Sequence, residues 1–122
     1  MPAESQLSPR RKVAAGERRI ATPAPAALGK ARAQRLALLA KALSDPVRIQ
    51  LLDVLSAHPE PLCPCELLPL FDVSQPTLAH HLKVLRDAGA IGCRKQGLFA
   101  YYYPIPGGLD DLADHLATKE RP

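Results

Sequence analysis

Residues 73–89 of the chain read VSQPTLAHHLKVLRDAG, and this segment predicts one well-delimited helix. Ser74 is suited to the N-cap, because its hydroxyl can accept a hydrogen bond from a free backbone N–H of the first turn. Gly89 is suited to the left-handed conformation that often follows a helix end. The apolar residues between them recur at helical spacing and predict a single buried face. They are Leu78, Leu82 and Leu85.

Capping, proline and hairpin signals before and after this helix predict further helices and strands in a definite order. Asp45 and Pro46 are a typical cap and first residue of an earlier helix, and Pro69 should end or distort a short one. Residues on either side of Gln96-Gly97 alternate as in a β-hairpin. The predicted helices begin near residues 31, 46, 63, 74 and 109, and the predicted strands cover 91–95 and 99–103. The order ααααββα is mainly α (α+β) and typical of a winged helix-turn-helix.

Composition limits the class of protein. The chain has 122 residues, 47% of them hydrophobic and 4% aromatic, which fits one packed domain without a large aromatic pocket. No apolar run approaches the roughly 18 residues of a membrane span, and no secretory signal is visible. Three cysteines in such a chain predict thiols in a reducing cytoplasm rather than a disulfide scaffold. We expect no enzyme, because no catalytic triad or phosphate-binding loop is present.

The net charge of +4 is concentrated at one end of the chain. Residues 1–30 carry six basic and two acidic groups, whereas residues 31–122 carry ten of each. The first segment is rich in Ala and Pro and has too few large apolar residues to fold alone, so we expect a disordered arm. It could be a solubilising tail or an arm that contacts phosphates. The folded domain is predicted at 31–118, followed by a tail at 119–122.

Polar residues of the 73–89 helix and the hairpin are candidates for contact with double-stranded DNA. The second helix of a helix-turn-helix enters the major groove, where the amide of Gln75 could pair with adenine. Cations further along suit phosphates. The candidates are Ser74, Gln75, Thr77, His80, Lys83, Arg86, Arg94 and Lys95. Residues 74–97 carry four basic groups against one acidic, whereas 98–122 carry two against four, so the neutral domain is polarised towards this face.

Cysteines at the start of the short third helix are candidates for ion binding. With Cys63 as N-cap, Glu66 is the third helical residue and can bond back to the Cys63 N–H, as in a capping box. Cys63 and Cys65 then lie at the positive end of the helix, which favours thiolates. Thiolates select As(III), Sb(III), Hg(II), Cd(II) or Cu(I) over hard cations.

These motifs resemble the arsenic-repressor (ArsR/SmtB) family of bacterial metal-sensing repressors. The resemblance covers about residues 33–118 and is carried by Leu43-Ser-Asp-Pro-Val-Arg48, Cys63-Pro-Cys-Glu-Leu67 and the 73–89 segment. It implies a homodimer paired through the first and last helices. An inverted-repeat operator would then have half-sites roughly 34–36 Å apart. The dimer residues are expected in two spare apolar stripes: Leu36, Leu39 and Leu43, and Leu109, Leu112 and Leu116.

The resemblance also bears on the ligand set. The resemblance implies a Cys-x-Cys-x-x-Cys motif on this helix in arsenite-sensing members. In this chain Leu68 occupies the position of the third cysteine. Two ligands suffice for linear Hg(II) or a weaker As(III) site. Cys93 is a candidate third ligand, with Tyr102, His58 or a group of a partner subunit as alternatives. In zinc-sensing members the resemblance implies two pairs of ligands across the last helices. The last helix of this chain lacks the second pair, so a zinc site is not expected there.

The sequence therefore predicts a repressor that binds its operator when ion-free. It releases the DNA when As(III), Sb(III) or Hg(II) binds Cys63 and Cys65, and Cd(II) is a further candidate ion. Two alternatives stay open. A thiol-redox repressor would use the same cysteines through oxidation, and a small metal-binding carrier would bind ions without affinity for DNA. No permanent cofactor is expected.

Overall fold

The computed structural model describes residues 20–23 and 28–117 and confirms the predicted order of elements. The helices are α1 (Lys30–Ala42), α2 (Pro46–Ala57), α3 (Pro64–Leu67), α4 (Gln75–Asp87) and α5 (Asp110–Leu116). The strands are β1 (Ile91–Gln96) and β2 (Phe99–Pro104), which pair antiparallel. Most of the predicted 1–30 arm and all of the 119–122 tail lie outside the described residues.

One apolar cluster joins the described elements. Leu78, Leu82 and Leu85 form the predicted buried face of α4, and each is no more than 1% exposed. Fully buried partners come from α2, α3 and β1: Leu51, Leu55, Leu67 and Ile91. Burial of such side chains is the main favourable contribution to folding. None of the described helices is long and apolar enough to cross a membrane.

Local capping chemistry sets the ends of α2 and α4 as predicted. Asp45 Oδ1 accepts from the backbone N–H of Val47 at 2.8 Å and of Arg48 at 3.3 Å. Partial desolvation raises the pKa of the Asp45 carboxyl. The two hydrogen bonds and the positive charge of Arg48 lower it by a larger amount, so the net shift of this pKa is downward. At the other helix, Ser74 caps α4, and Gly89 follows it with φ +86°.

Pro69 distorts the third helix as expected. The α-helix ends at Leu67, and a single 3₁₀ turn continues over Leu68–Leu70. Proline has no N–H to donate to an α-helical bond, and its ring clashes with the preceding turn. The α3 helix is therefore a short element held by its cap and by buried Leu67.

The hairpin differs from the prediction by one residue. Gln96 belongs to β1 and pairs with Phe99, so the two turn residues are Gly97 and Leu98 rather than Gln96 and Gly97. Gly97 has φ +63°, the left-handed conformation that tight hairpin turns require at their first position. Gln96 is polar and therefore typical of a turn, but the left-handed conformation of Gly97 determines the register of the hairpin.

A third backbone segment joins the hairpin. Leu62 forms an antiparallel bridge with Tyr102, in which each backbone N–H donates to the carbonyl of the other residue at 3.0 and 2.8 Å. The chain that leads into α3 is thereby fixed to the wing, as is usual in winged helices. The cysteine pair follows directly from this bridge.

The leucine stripes of α1 and α5 are not spare, which corrects the sequence interpretation. Leu36, Leu39 and Leu112 are buried in the core of the same chain. Leu43 and Leu109 are partly buried against that core, and Leu116 alone is largely exposed, at 72%. The α1 helix carries apolar residues on more than one face, and for both helices periodicity cannot tell packing within the chain from packing against a partner.

Candidate DNA-binding face and cysteine pair

All eight predicted DNA-contact residues are exposed, which allows them to reach a ligand. At the start of α4, Ser74 Oγ accepts from the Thr77 N–H at 3.3 Å and donates to Thr77 Oγ1 at 2.9 Å. These hydroxyls are therefore held in place before any DNA is bound. The Gln75 side chain makes no hydrogen bond within the described part of the chain and is free to meet a base edge.

Further along α4, Lys83 already has an acidic neighbour. Its Nζ lies 2.7 Å from Asp87 Oδ2, one helical turn away, and both side chains are well exposed. Such surface pairs contribute little to stability, on the order of 0.5 kcal/mol. The pair can therefore open at small cost when a phosphate approaches Lys83.

The two wing cations lie on opposite faces of the hairpin. Arg94 pairs with Tyr101 and Lys95 with Ala100, and successive residues of a strand point to opposite sides. Arg94 shares its side with Tyr103 and lines a groove of about 370 Å³ beside the segment between α2 and α3. The two wing cations can therefore meet different parts of a ligand.

Arg48 of α2 contacts α4, and the sequence interpretation missed this contact. Its Nη1 lies 3.0 Å from Nδ1 of His81, which is 8% exposed, and its Nε donates to the Ala42 carbonyl at 2.6 Å. A guanidinium can only donate, so His81 Nδ1 accepts and the ring carries its proton on Nε2. Arg48 is part of the 43–48 motif that the sequence analysis quoted, but the motif itself does not indicate a partner for Arg48 on α4.

Cys63 and Cys65 occupy the N-cap and second position of α3, as predicted. The Cys63 N–H donates to Glu66 Oε1 at 2.9 Å, which is the expected half of a capping box. Cys63 is 4% exposed, whereas Cys65 faces solvent.

The expectation of free thiols is wrong for this pair, because the structure joins the two sulfurs in a disulfide. Their Cα atoms are 5.3 Å apart, within the range that a disulfide can bridge. The helix start therefore brings the sulfurs of Cys63 and Cys65 together, and an ion would have to bind the reduced form of this pair.

Cys93 is a free cysteine that is not joined to that pair. It lies opposite Tyr102 in the register, and Tyr102 in turn bridges to Leu62, so these three residues share one row. Cys63 follows Leu62 in extended backbone, and alternation places its side chain on the other face. No three His, Cys, Asp or Glu side chains of the described residues are grouped to hold a metal ion. That finding covers Cys93 and His58 alike.

The other candidate ligand, Tyr102, belongs to the cluster around Cys93. Burial raises the pKa of the Tyr102 hydroxyl, and the adjacent Cys93 thiol raises it further, while Arg86 acts in the opposite direction. A raised pKa keeps the phenol protonated, which disfavours its use as an ion ligand.

Comparison with known proteins agrees with this geometry. The sequence model described as "Bacterial regulatory protein, arsR family" matches residues 45–91. An arsenical resistance operon repressor of Staphylococcus aureus is 41% identical over 83 residues, or 68% of this chain and 78% of the relative. A cadmium resistance transcriptional regulatory protein, a CadC homolog of the same species, is 37% identical over 69% of this chain and 64% of its own.

Solved structures give the same result for the fold. An ArsR-like transcriptional regulator from Rhodococcus sp. RHA1 superposes with a TM-score of 0.63 at 27% identity, covering 70% of this chain and 79% of that one. The family match includes α2, the helix-turn-helix formed by α3 and α4, and the first residue of β1. The chain therefore belongs to the arsR family of bacterial regulatory proteins, and it is a winged helix-turn-helix transcriptional regulator rather than an enzyme.

Proposed function

We propose that the chain is a homodimeric repressor that binds an inverted-repeat operator and releases it when a thiophilic ion binds Cys63 and Cys65. The observation that carries the proposal is the juxtaposition of the two sulfurs at the start of α3, directly before the DNA-reading helix. Relatives named for arsenical and cadmium resistance support a thiophilic inducer.

The donor set favours soft ions. After reduction, Cys63 and Cys65 supply two thiolates, and Glu66 is occupied by the Cys63 N–H. Two sulfurs satisfy Hg(II), and with As(III) or Sb(III) they leave a position for hydroxide from solvent. Hard cations such as Mg²⁺ would find too few oxygen donors.

Two contacts link the pair to the DNA-binding face. Leu62, adjacent to Cys63, is bonded through its backbone to Tyr102 of the wing. Leu67, two residues after Cys65, is fully buried in the cluster that holds the leucines of α4. Ion binding that rotates α3 would therefore shift both the wing and α4, and thereby the spacing of the two recognition helices in a dimer.

The inducer can be identified by titrating the operator complex of the fully reduced protein with As(III), Sb(III), Hg(II), Cd(II) and Zn(II). A phosphine reductant avoids competing thiols. We expect release by As(III), Sb(III) or Hg(II) at protein-stoichiometric concentrations, with Zn(II) inactive. Fluorescence anisotropy of labelled duplex DNA measures the release. Release by Zn(II) alone would contradict a site made of the two sulfurs.

The disulfide favours a second candidate function, a repressor switched by oxidation. Hydrogen peroxide would take two electrons from the Cys63 and Cys65 thiols and leave as water, forming the observed bond. Peroxide-triggered release without metal ions, reversed by reductant, would support this candidate. A protein that binds ions but shows no salt-dependent affinity for DNA would instead be a metal-binding carrier.

We expect the Lys95→Gln substitution to reduce the salt dependence of DNA binding. Lys95 is exposed on the wing, and each phosphate contact contributes about 0.9 to the slope of log K against log salt. The slope should fall by about one, and affinity should fall equally for different duplexes. Arg35→Gln removes an exposed cation of α1 outside the 1–30 arm; it is the matched control and should change neither. Equal slopes for both variants would exclude Lys95 from the DNA contact.

A further inference from the structure

A cavity of about 370 Å³ lies between α1, α2 and α4, and none of the three cysteines lines it. Its size is within the range of small-molecule sites. We propose that this cavity binds a small organic carboxylate with an apolar body. The proposal goes beyond the operator and ion binding inferred above, and it can be tested on the DNA-free protein.

The polar side of the cavity carries more positive than negative charge. Lys41 contributes an ammonium group that makes no side-chain hydrogen bond within the described part of the chain, and the same holds for the exposed imidazole of His80. Asp87 is the acidic residue of the lining, but Lys83 neutralises it at 2.7 Å. An anion is therefore favoured over a cation.

Arg48 is held in position to receive a carboxylate. Its Nε bonds to the Ala42 carbonyl and its Nη1 to His81 Nδ1, at 2.6 and 3.0 Å. These two contacts fix the plane of the guanidinium, and Nη2 has no partner among the described residues. An arginine fixed in this way loses little conformational entropy when it binds an anion, because its fork is already oriented.

The other side of the cavity is apolar. Leu38 is 52% exposed although it lies on a helix whose neighbouring leucines are buried, and Val84 of α4 faces the same space. Two alanines complete this wall. A carboxylate with an aliphatic or aromatic body would cover Leu38 and Val84 while its charge meets Lys41 and Arg48. A free inorganic anion would leave the apolar wall exposed to water.

Benzoate is a suitable probe, because benzamide has nearly the same shape without the charge. In titrations of the reduced full chain followed by backbone amide NMR, we expect benzoate to shift resonances around Leu38, Lys41 and Val84. Benzamide should bind roughly tenfold more weakly, the loss expected for a charge-assisted contact. Equal binding of the two probes, or benzoate shifts confined to the wing or α3, would overturn the proposal.

Variants of α1 test the lining directly. Lys41→Gln should weaken benzoate binding roughly tenfold and leave benzamide binding unchanged. Arg35→Gln, an exposed cation of the same helix outside the cavity, should change neither. Leu38→Asn should weaken both probes, because it removes apolar contact rather than charge. The proposal fails if Lys41→Gln and Arg35→Gln bind benzoate equally.

Discussion

Replacing Cys63 and Cys65 together by serine should abolish operator release by arsenite and Hg(II), while operator affinity stays within about twofold of the parent. A serine hydroxyl is not a soft donor and remains protonated, so the variant offers no thiolate to either ion. Serine is also a preferred N-cap, so the start of α3 should keep its geometry. Anisotropy of labelled operator DNA, titrated with each ion under phosphine reductant, measures the result.

Cys93→Ser is the matched control for this experiment. It removes the third cysteine of the chain, which lies in the row of Leu62 and Tyr102 and is not joined to the pair. We expect this variant to release the operator at the same ion concentration as the parent. Normal release by the double variant would show that the sensor lies elsewhere. Loss of release in Cys93→Ser would make Cys93 a ligand after rearrangement of the wing.

The features that the sequence predicted well depend on neighbours along the chain. The caps at Asp45 and Ser74, the bond from Cys63 to Glu66 and the break at Pro69 each involve residues within four positions of one another. Such interactions form as soon as the local backbone does, so residue type and spacing predict them. This is why the order of elements and the place of the cysteine pair followed from the sequence.

The features that it missed depend on contacts between distant segments. Arg48 and His81 are 33 positions apart, and only the packing of α2 against α4 brings them together. The leucines of α1 and α5 show helical spacing whether they face the core or a partner, and three of the six proved to be internal. The cross-strand partners of Arg94 and Lys95 depend on the hairpin turn, because Gly97 adopts the left-handed conformation and places Gln96 opposite Phe99.

Leu85→Ala should be the most destabilising of the substitutions considered, at about 2–5 kcal/mol of unfolding free energy. Leu85 is 0% exposed, and its helix packs against α1, α2 and β1, so truncation leaves a cavity at the centre of the domain. Domains of this size have a total stability of about 5–15 kcal/mol, so the loss is a large share. Urea denaturation followed by circular dichroism measures the change as a lower midpoint with an unchanged slope.

Leu98→Ala is the matched control, because it makes the same chemical change at a leucine that is 100% exposed at the tip of the hairpin. No packed neighbour loses contact there, so we expect a change within about 0.5 kcal/mol. The difference between the two variants isolates burial from the intrinsic preferences of the two side chains. Equal destabilisation of both would contradict the position of α4 in the core. Leu85 faces the core and cannot contact DNA, although it lies on the DNA-reading helix. Leu85→Ala should therefore lower operator affinity only at denaturant concentrations or temperatures where the unfolded fraction is measurable.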